Sequence, residues 1–299
     1  MAKDKKKLKK RLRDFPNSRY YDIQDAAFKY FGLACTIFGI VVLSVLVIDL
    51  IYDGLHRIDW RFLTGGVSRM AEKTGIGVAI AGTLWIMILT SLIALPIGIS
   101  AGIFLEEYGK KSKFASLIEI NIANLAGIPS IIYGLLGLEI FARLLHLGES
   151  ILAGSLTLAL LILPIIIVST REALKGVPYS LREASYALGA TKWQTIWDQV
   201  LPAAAGGIFT GVILSISRAV GETAPLIVVG AATFMTSSPT GVMDSYTVLP
   251  IQIFNWVGRP EKEFIPTAAA AIIVLLLITF LMNGIAVYLR YRWQKKIKW

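Results

Sequence analysis

The stretch "LREASYALGATKWQTIWDQVLP", residues 181–202, lies between two apolar runs that are each long enough to cross a bilayer. It carries charges, two tryptophans and a central glycine, and it reads as two short amphipathic helices. Ser180 and Glu183 have the spacing of a capping box, which predicts a helix from Leu181. Leu181, Ala184, Ser185 and Leu188 then share one face, and Gly189 closes the helix. Thr191 and Gln194 form a second box, and Trp193, Ile196, Trp197 and Val200 line one face of the helix it starts. Pro202 is placed to begin the next span. Periodicity leaves two readings open: the pair folds back onto its own protein or the lipid interface, or it docks into a groove on a cytoplasmic partner.

The surroundings of this hairpin are those of a membrane protein. Of 299 residues, 55% are hydrophobic, and the mean hydropathy is +0.65. A span needs about 20 apolar residues to cross a hydrocarbon core of roughly 30 Å. Such runs fall near 30–52, 76–105, 115–144, 151–170, 203–233 and 264–289, which predicts an all-α polytopic protein with six transmembrane helices. Run 30–52 is longer than a signal-peptide core and lacks a small-residue cleavage site, so it reads as a retained span.

With both termini cytoplasmic, the inner segments hold 22 Lys and Arg and the outer ones 6, as the positive-inside rule requires. The resulting division is a basic cytoplasmic tail, 1–29; a first helix and outer loop, 30–75; a permease core, 76–289, with cytoplasmic helices at 171–202; and a basic tail, 290–299. The net charge of +10 follows from this asymmetry and needs no nucleic acid partner. Anionic lipid is the default partner of the first tail. Cys35 is the only cysteine, so no intrachain disulfide forms, and His56 and His146 stand apart without a ligand-like neighbourhood, so no metal site is expected.

Four spans carry an interior proline, Pro96, Pro129, Pro164 and Pro225, each expected to kink or break its helix. The pattern predicts peripheral first and sixth helices around an irregular inner group. GxxxG spacings at Gly98/Gly102 and Gly207/Gly211 allow close helix contact, within one chain or between subunits.

Charges inside the spans are costly and become functional candidates by default. Arg218 and Glu222, in "SISRAVGETAPL", lie mid-span at i, i+4 and point to one side of the helix. Arginine's planar fork suits bidentate contact with phosphate or carboxylate oxygens, and the glutamate neutralises it when the site is empty. The alternative is a structural ion pair. Glu139 and Arg143 have the same spacing near the outer end of the third span, where snorkelling explains them as well as a pathway role. No G-x-x-x-x-G-K-[ST] occurs; Gly109-Lys110-Lys111-Ser112 lacks the upstream glycine. No H-E-x-x-H is present either, and an enzyme in its own right is not expected.

Residues 181–202 resemble the coupling-loop signature of ABC importer permeases: Glu-Ala-Ala, three residues, Gly, nine residues, Ile-x-Leu-Pro. Glu183, Ala184, Gly189, Leu201 and Pro202 match in register, while Ser185 and Gln199 depart from it. With "NLAGIPSIIYGLLGL" (124–138) and "SRAVGETAPL" (217–226), the chain from about residue 75 onward resembles the A-type permease family, PstA, of phosphate-specific ABC importers.

That resemblance implies a MetI-like permease fold in the cytoplasmic membrane of a prokaryote, with phosphate as substrate and Arg218 and Glu222 on its pathway. It implies that the hairpin, with Glu183, Ala184, Gly189, Trp193 and Trp197, seats in a cleft of an ATP-binding subunit. Further implied partners are a homologous C-type permease, two ATP-binding subunits and an extracytoplasmic phosphate-binding protein, for which loop 234–263 is a docking surface or else a lid over its own permease. ATP and Mg belong to the partner subunit, and no cofactor is expected on this chain. Arg171 receives no role, since some relatives carry their arginine nearer the place of Val168. The competing readings are a permease for sulfate, molybdate or tungstate, an ion-coupled secondary transporter, which would show inverted repeats, and a purely structural membrane subunit.

Overall fold

The computed structural model describes residues 18–109, 113–232 and 234–295. The first part of the basic N-terminal tail, Lys110–Ser112 and the last four residues of the C-terminal tail lie outside the described residues. Two compact units divide between Tyr52 and Asp53.

The described part of the first unit is helix α1, Ser18–Gly54, as far as Tyr52; the helix begins well before the predicted residue 30. Its most apolar window has a mean hydropathy of 2.7 and is 0% buried within the chain. A helix apolar all round with no protein cover is what lipid accepts and water rejects.

The second unit holds everything from Asp53 on, so loop 53–75 groups with the core rather than with the first span. In that loop the short α2, Trp60–Thr64, is capped by Asp59, whose carboxylate accepts from the Phe62 amide at 2.6 Å. Helix α3, Gly77–Ile103, continues through a wide π turn at Phe104–Tyr108. Helix α4, Lys113–Ala126, and helix α5, Ser130–Gly137, meet at an angle of 107°, and a π turn at Leu138–Leu144 extends α5. Helix α6, Ile151–Lys175, leads to the hairpin helices α7, Tyr179–Ala187, and α8, Lys192–Thr195. A π turn at Ile196–Val200 carries α8 directly into α9, Leu201–Gly221. Short helices α10, Ala224–Val229, and α11, Leu249–Val257, precede α12, Phe264–Gln294.

The all-helical, multi-spanning class is therefore as read, with two changes. Among the described residues five helices are long and apolar enough to span, and the third predicted span, 115–144, is the bent α4–α5 pair. The fifth, 203–233, ends at Gly221 and restarts as α10. The prolines divide accordingly. Pro96 and Pro164 sit inside unbroken helices, whereas Pro129 and Pro225 start new ones after a break. A proline tolerated at a first helical turn becomes a breaker only where the preceding residues already leave the helix.

Helix α6 is the axis of the packing, with Leu158, Ile162 and Ile166 fully buried. Both GxxxG pairs serve it. On one flank, a Cβ added at Gly98 would come within 2.6 Å of Ile166, and one at Gly102 within 2.7 Å of Thr170. On the other, Gly207 lies against Ala173 and Gly211 against Ser169. The close contacts are thus within the chain, between α3, α6 and α9. Helix α12 is peripheral only in its second half, since Ala268 to Ala271 are buried in the core formed with Leu249 and Trp256.

Loop 234–263 is built into its own fold. Tyr246 is 0% exposed, the Ile151 amide donates to the Asp244 carbonyl at 3.0 Å, and the Leu249 amide donates to Thr83 Oγ1 at 3.0 Å. Phe254 and Val257 remain exposed on its far face.

Candidate functional site

The hairpin differs in detail from its predicted form. Pro178 takes the N-cap position of α7 and no side chain caps it, so the Ser180–Glu183 box does not form. Proline's extended ψ of 137° starts the helix at Tyr179, which puts Ser180 inside the first turn, where its hydroxyl no longer caps. The second box does form. The Thr191 amide donates to Gln194 Oε1 at 2.9 Å, and the Gln194 amide to Thr191 Oγ1 at 3.3 Å. Gly189 reverses the chain with φ +85°, a left-handed conformation that a side chain would strain. The Ser185 and Thr195 hydroxyls, 2.8 Å apart, tie the two arms together.

The predicted stripe on the second helix splits in two. Ile196 and Val200 are fully buried, while Trp193 and Trp197 are each 60% exposed and stack on one another at 5.8 Å. Leu188 at the tip is 90% exposed, and Glu183 and Ala184 are exposed beside it. Apolar groups of this size, gathered at the end of a hairpin, are the kind of surface that marks an interaction site. Tyr186 borders the surface, and burial, then the nearby Glu107 carboxylate, push its hydroxyl pKa up.

A residue without an assigned role anchors the hairpin. Arg182 is 4% exposed, and its guanidinium reaches Glu107 Oε1 through Nη2 at 2.6 Å and Nε at 3.2 Å. It also donates to the carbonyls of Leu174 at 3.1 Å and Val177 at 3.0 Å, at the end of α6. Lys192 donates to the Glu107 carbonyl and stands 4.2 Å above the Tyr108 ring. Arg171 is likewise accounted for: it pairs with Glu106 at 3.3 Å and with Glu119, joining α6 to the end of α3 and to α4. No signal in the sequence marks these pairs, because an arginine in a polar hairpin reads as solvated.

Arg218 and Glu222 are brought together, but not mid-helix. Arg218 stands in the last turn of α9, and Glu222 is its C-cap, already extended at ψ 124°. Arg218 Nε donates to Glu222 Oε1 at 3.1 Å, with side-chain exposures of 43% and 16%. The Arg218 backbone lies about 25 Å along the axis beyond Leu201 at 1.5 Å per residue, at the far end of the helix. The helix end supplies a partial negative charge that favours a cation there. Broken backbone within a span is tolerated only against protein or water, so the half-exposed arginine faces a polar space or a partner. Glu139 and Arg143 pair with each other within the π turn after α5, both well exposed, and form a separate site. The α5 and α10 segments between the two pairs are in close contact, with Gly134 against Pro225.

The spans are bent and proline-broken, and the penultimate one begins in a surface hairpin. Residues 94–295 match the family model of the binding-protein-dependent transport system inner membrane component, and the chain belongs to that family. Among relatives, it is 39% identical to the phosphate transport system permease protein PstA of Yersinia pestis, covering 85% of this chain and 86% of that one. It is 33% identical to a probable PstA of Methanocaldococcus jannaschii over 92% and 96% of the two chains. Identity to a probable ABC transporter permease protein, YqgI of Bacillus subtilis, is 30%, over 84% and 90%. Among solved structures, it superposes on a chain of a bacterial alginate importer with a TM-score of 0.62, at 17% identity over 91% and 98% of the chains. With a chain of the MetNI methionine ABC transporter the TM-score is 0.58, at 17% identity over 78% and 96%. Those two likenesses bear on fold alone.

The MetI-like fold and the likeness to PstA-type permeases thus stand. The protein is a multi-pass inner-membrane permease subunit of an ABC importer, and ATP-binding and substrate-binding proteins are its partners.

Proposed function

We propose that this subunit passes inorganic phosphate through the membrane, using Arg218 as the anion contact and Glu222 as its counter-charge, while residues 181–202 receive the ATP-driven motion. The observation that carries the reading is the Arg218–Glu222 pair at the broken end of the helix that begins in the hairpin. A half-exposed guanidinium offers two parallel N–H groups to an oxyanion. The glutamate competes for the same donors, which keeps the site from holding the anion too tightly to release it. The relatives named for phosphate transport support this choice of anion.

In the same reading, Leu188, Trp193 and Trp197 sit in the cleft of the ATP-binding subunit, with Glu183, Ala184 and the Gly189 turn setting the hairpin's shape. The assembly is one copy of this chain, one C-type permease and two ATP-binding subunits, with a phosphate-binding protein on the far side. ATP and Mg are used by the ATP-binding subunits, and the chain itself holds no cofactor. Glu139 and Arg143 are exposed enough to line the mouth of the pathway.

The test is uptake of radiolabelled phosphate into proteoliposomes holding the whole complex. Arg218→Ala is expected to abolish uptake while the ATP-binding subunits still co-purify. Unchanged uptake in that variant refutes the pathway role. Uptake of sulfate, molybdate or tungstate in place of phosphate refutes the substrate.

A further inference from the structure

Helix α9 receives any displacement of the hairpin without a joint, because residues Lys192 to Gly221 form one continuous helical span. Helix α3 has no such route. Its hairpin-side end lies 75 residues from Arg182 in sequence, and the link between them is made by side chains. We propose that Arg182, with Glu107 and Lys192, is a positioning element of the transport cycle: it clamps both arms of the hairpin to the end of α3, so that α3, α6 and α9 move with the hairpin as one body. This rests on reading residues 181–202 as the segment that the ATP-binding subunit moves.

The geometry is that of a clamp. The Arg182 and Glu107 side chains are 4% and 5% exposed, where solvent and salt screen their attraction little. The guanidinium fork, carried by α7, is engaged on two other elements at once: the Glu107 carboxylate after α3, and the Leu174 and Val177 carbonyls at and just past the end of α6. Lys192 fastens the other arm to the same turn, through the Glu107 carbonyl and the Tyr108 ring. Apolar packing would hold the elements together equally well, since burying a charge pair carries a desolvation penalty. What a fork of directional bonds adds is a single register, which apolar surfaces that slide do not impose.

The experiment is a distance measurement in the purified complex, without substrate, so that its outcome does not depend on which anion is carried. Spin labels are placed at Ser100 on α3 and Ser180 on α7, both exposed, after Cys35→Ser removes the native thiol. Distances are compared in the nucleotide-free and the ATP–vanadate-trapped states. With the clamp intact, the Ser100–Ser180 distribution is expected not to move. In Arg182→Gln and Glu107→Gln it is expected to shift or broaden on trapping. A distribution that moves in the intact complex, or that stays still in both variants, overturns the proposal. Should Arg182→Gln lose the ATP-binding subunits, Arg182→Lys, which keeps the charge but not the fork, decides. Retained subunits with a shifting distance support the clamp, and loss again reduces Arg182 to a builder of the docking surface.

Discussion

Arg218 and Arg182 show how differently two arginines announce themselves. A charge within an apolar run is rare enough to stand out in the bare order of residues, and Arg218 is legible together with Glu222 on spacing alone. Arg182 is not, because its burial depends on Glu107, far along the chain, and on two carbonyls at the end of another helix. The same distinction yields a sharp expectation for Arg218. Arg218→Lys keeps the charge but removes the second parallel donor, and a charge-assisted hydrogen bond is worth roughly 1.5–3 kcal/mol. Phosphate uptake is expected to fall about 10- to 100-fold, with assembly intact, in an uptake titration against external phosphate. Glu222→Gln, which frees the guanidinium, is expected to tighten anion binding and slow turnover, a split read from the same titration.

Among the elements, α9 and the hairpin lend themselves best to substitution. A side chain at Gly211 collides with Ser169 on α6. Overpacking of this kind costs about 1–3 kcal/mol, so Gly211→Leu is expected to lower the thermal stability of the detergent-solubilised complex. The exposed Trp193–Trp197 stack belongs to the docking surface in the reading above. Replacing either tryptophan by alanine is expected to weaken retention of the ATP-binding subunit by roughly 30-fold or more, the range of an aromatic anchor, in a titration by surface plasmon resonance.

The loop that covers the start of α6 has its own pH dependence. The Asp244 carboxylate accepts from the Thr240 amide at 2.7 Å, from the Gly241 amide at 2.8 Å and from the Thr240 hydroxyl at 3.0 Å, and these bonds hold its pKa below the ordinary value. A lowered folded-state pKa means that the contribution is present at neutral pH and is lost as pH falls through that value. The protection factors of the Thr240 and Gly241 amides, corrected for the intrinsic slowing of exchange at lower pH, are expected to fall on acidification, and Asp244→Asn is expected to remove most of that dependence.

In the complete molecule, one face of the design is written in composition and the other in contacts. The proposed assembly predicts a native mass containing one copy of this chain, one C-type permease and two ATP-binding subunits; two copies of this chain in place of the heterodimer contradict it. Amino-acid order by itself determined the spans, the hairpin between the fourth and fifth, and the charged pair near α10. Hydropathy periods, caps and misplaced charges are local properties, and local neighbours are enough to express them. The 107° bend at Pro129, the end of α9 at Gly221, the division of the tryptophan stripe and the burial of Arg182 were decided only in three dimensions. Each depends on a partner brought close by folding from a distant part of the chain, and a linear reading has no measure of that distance.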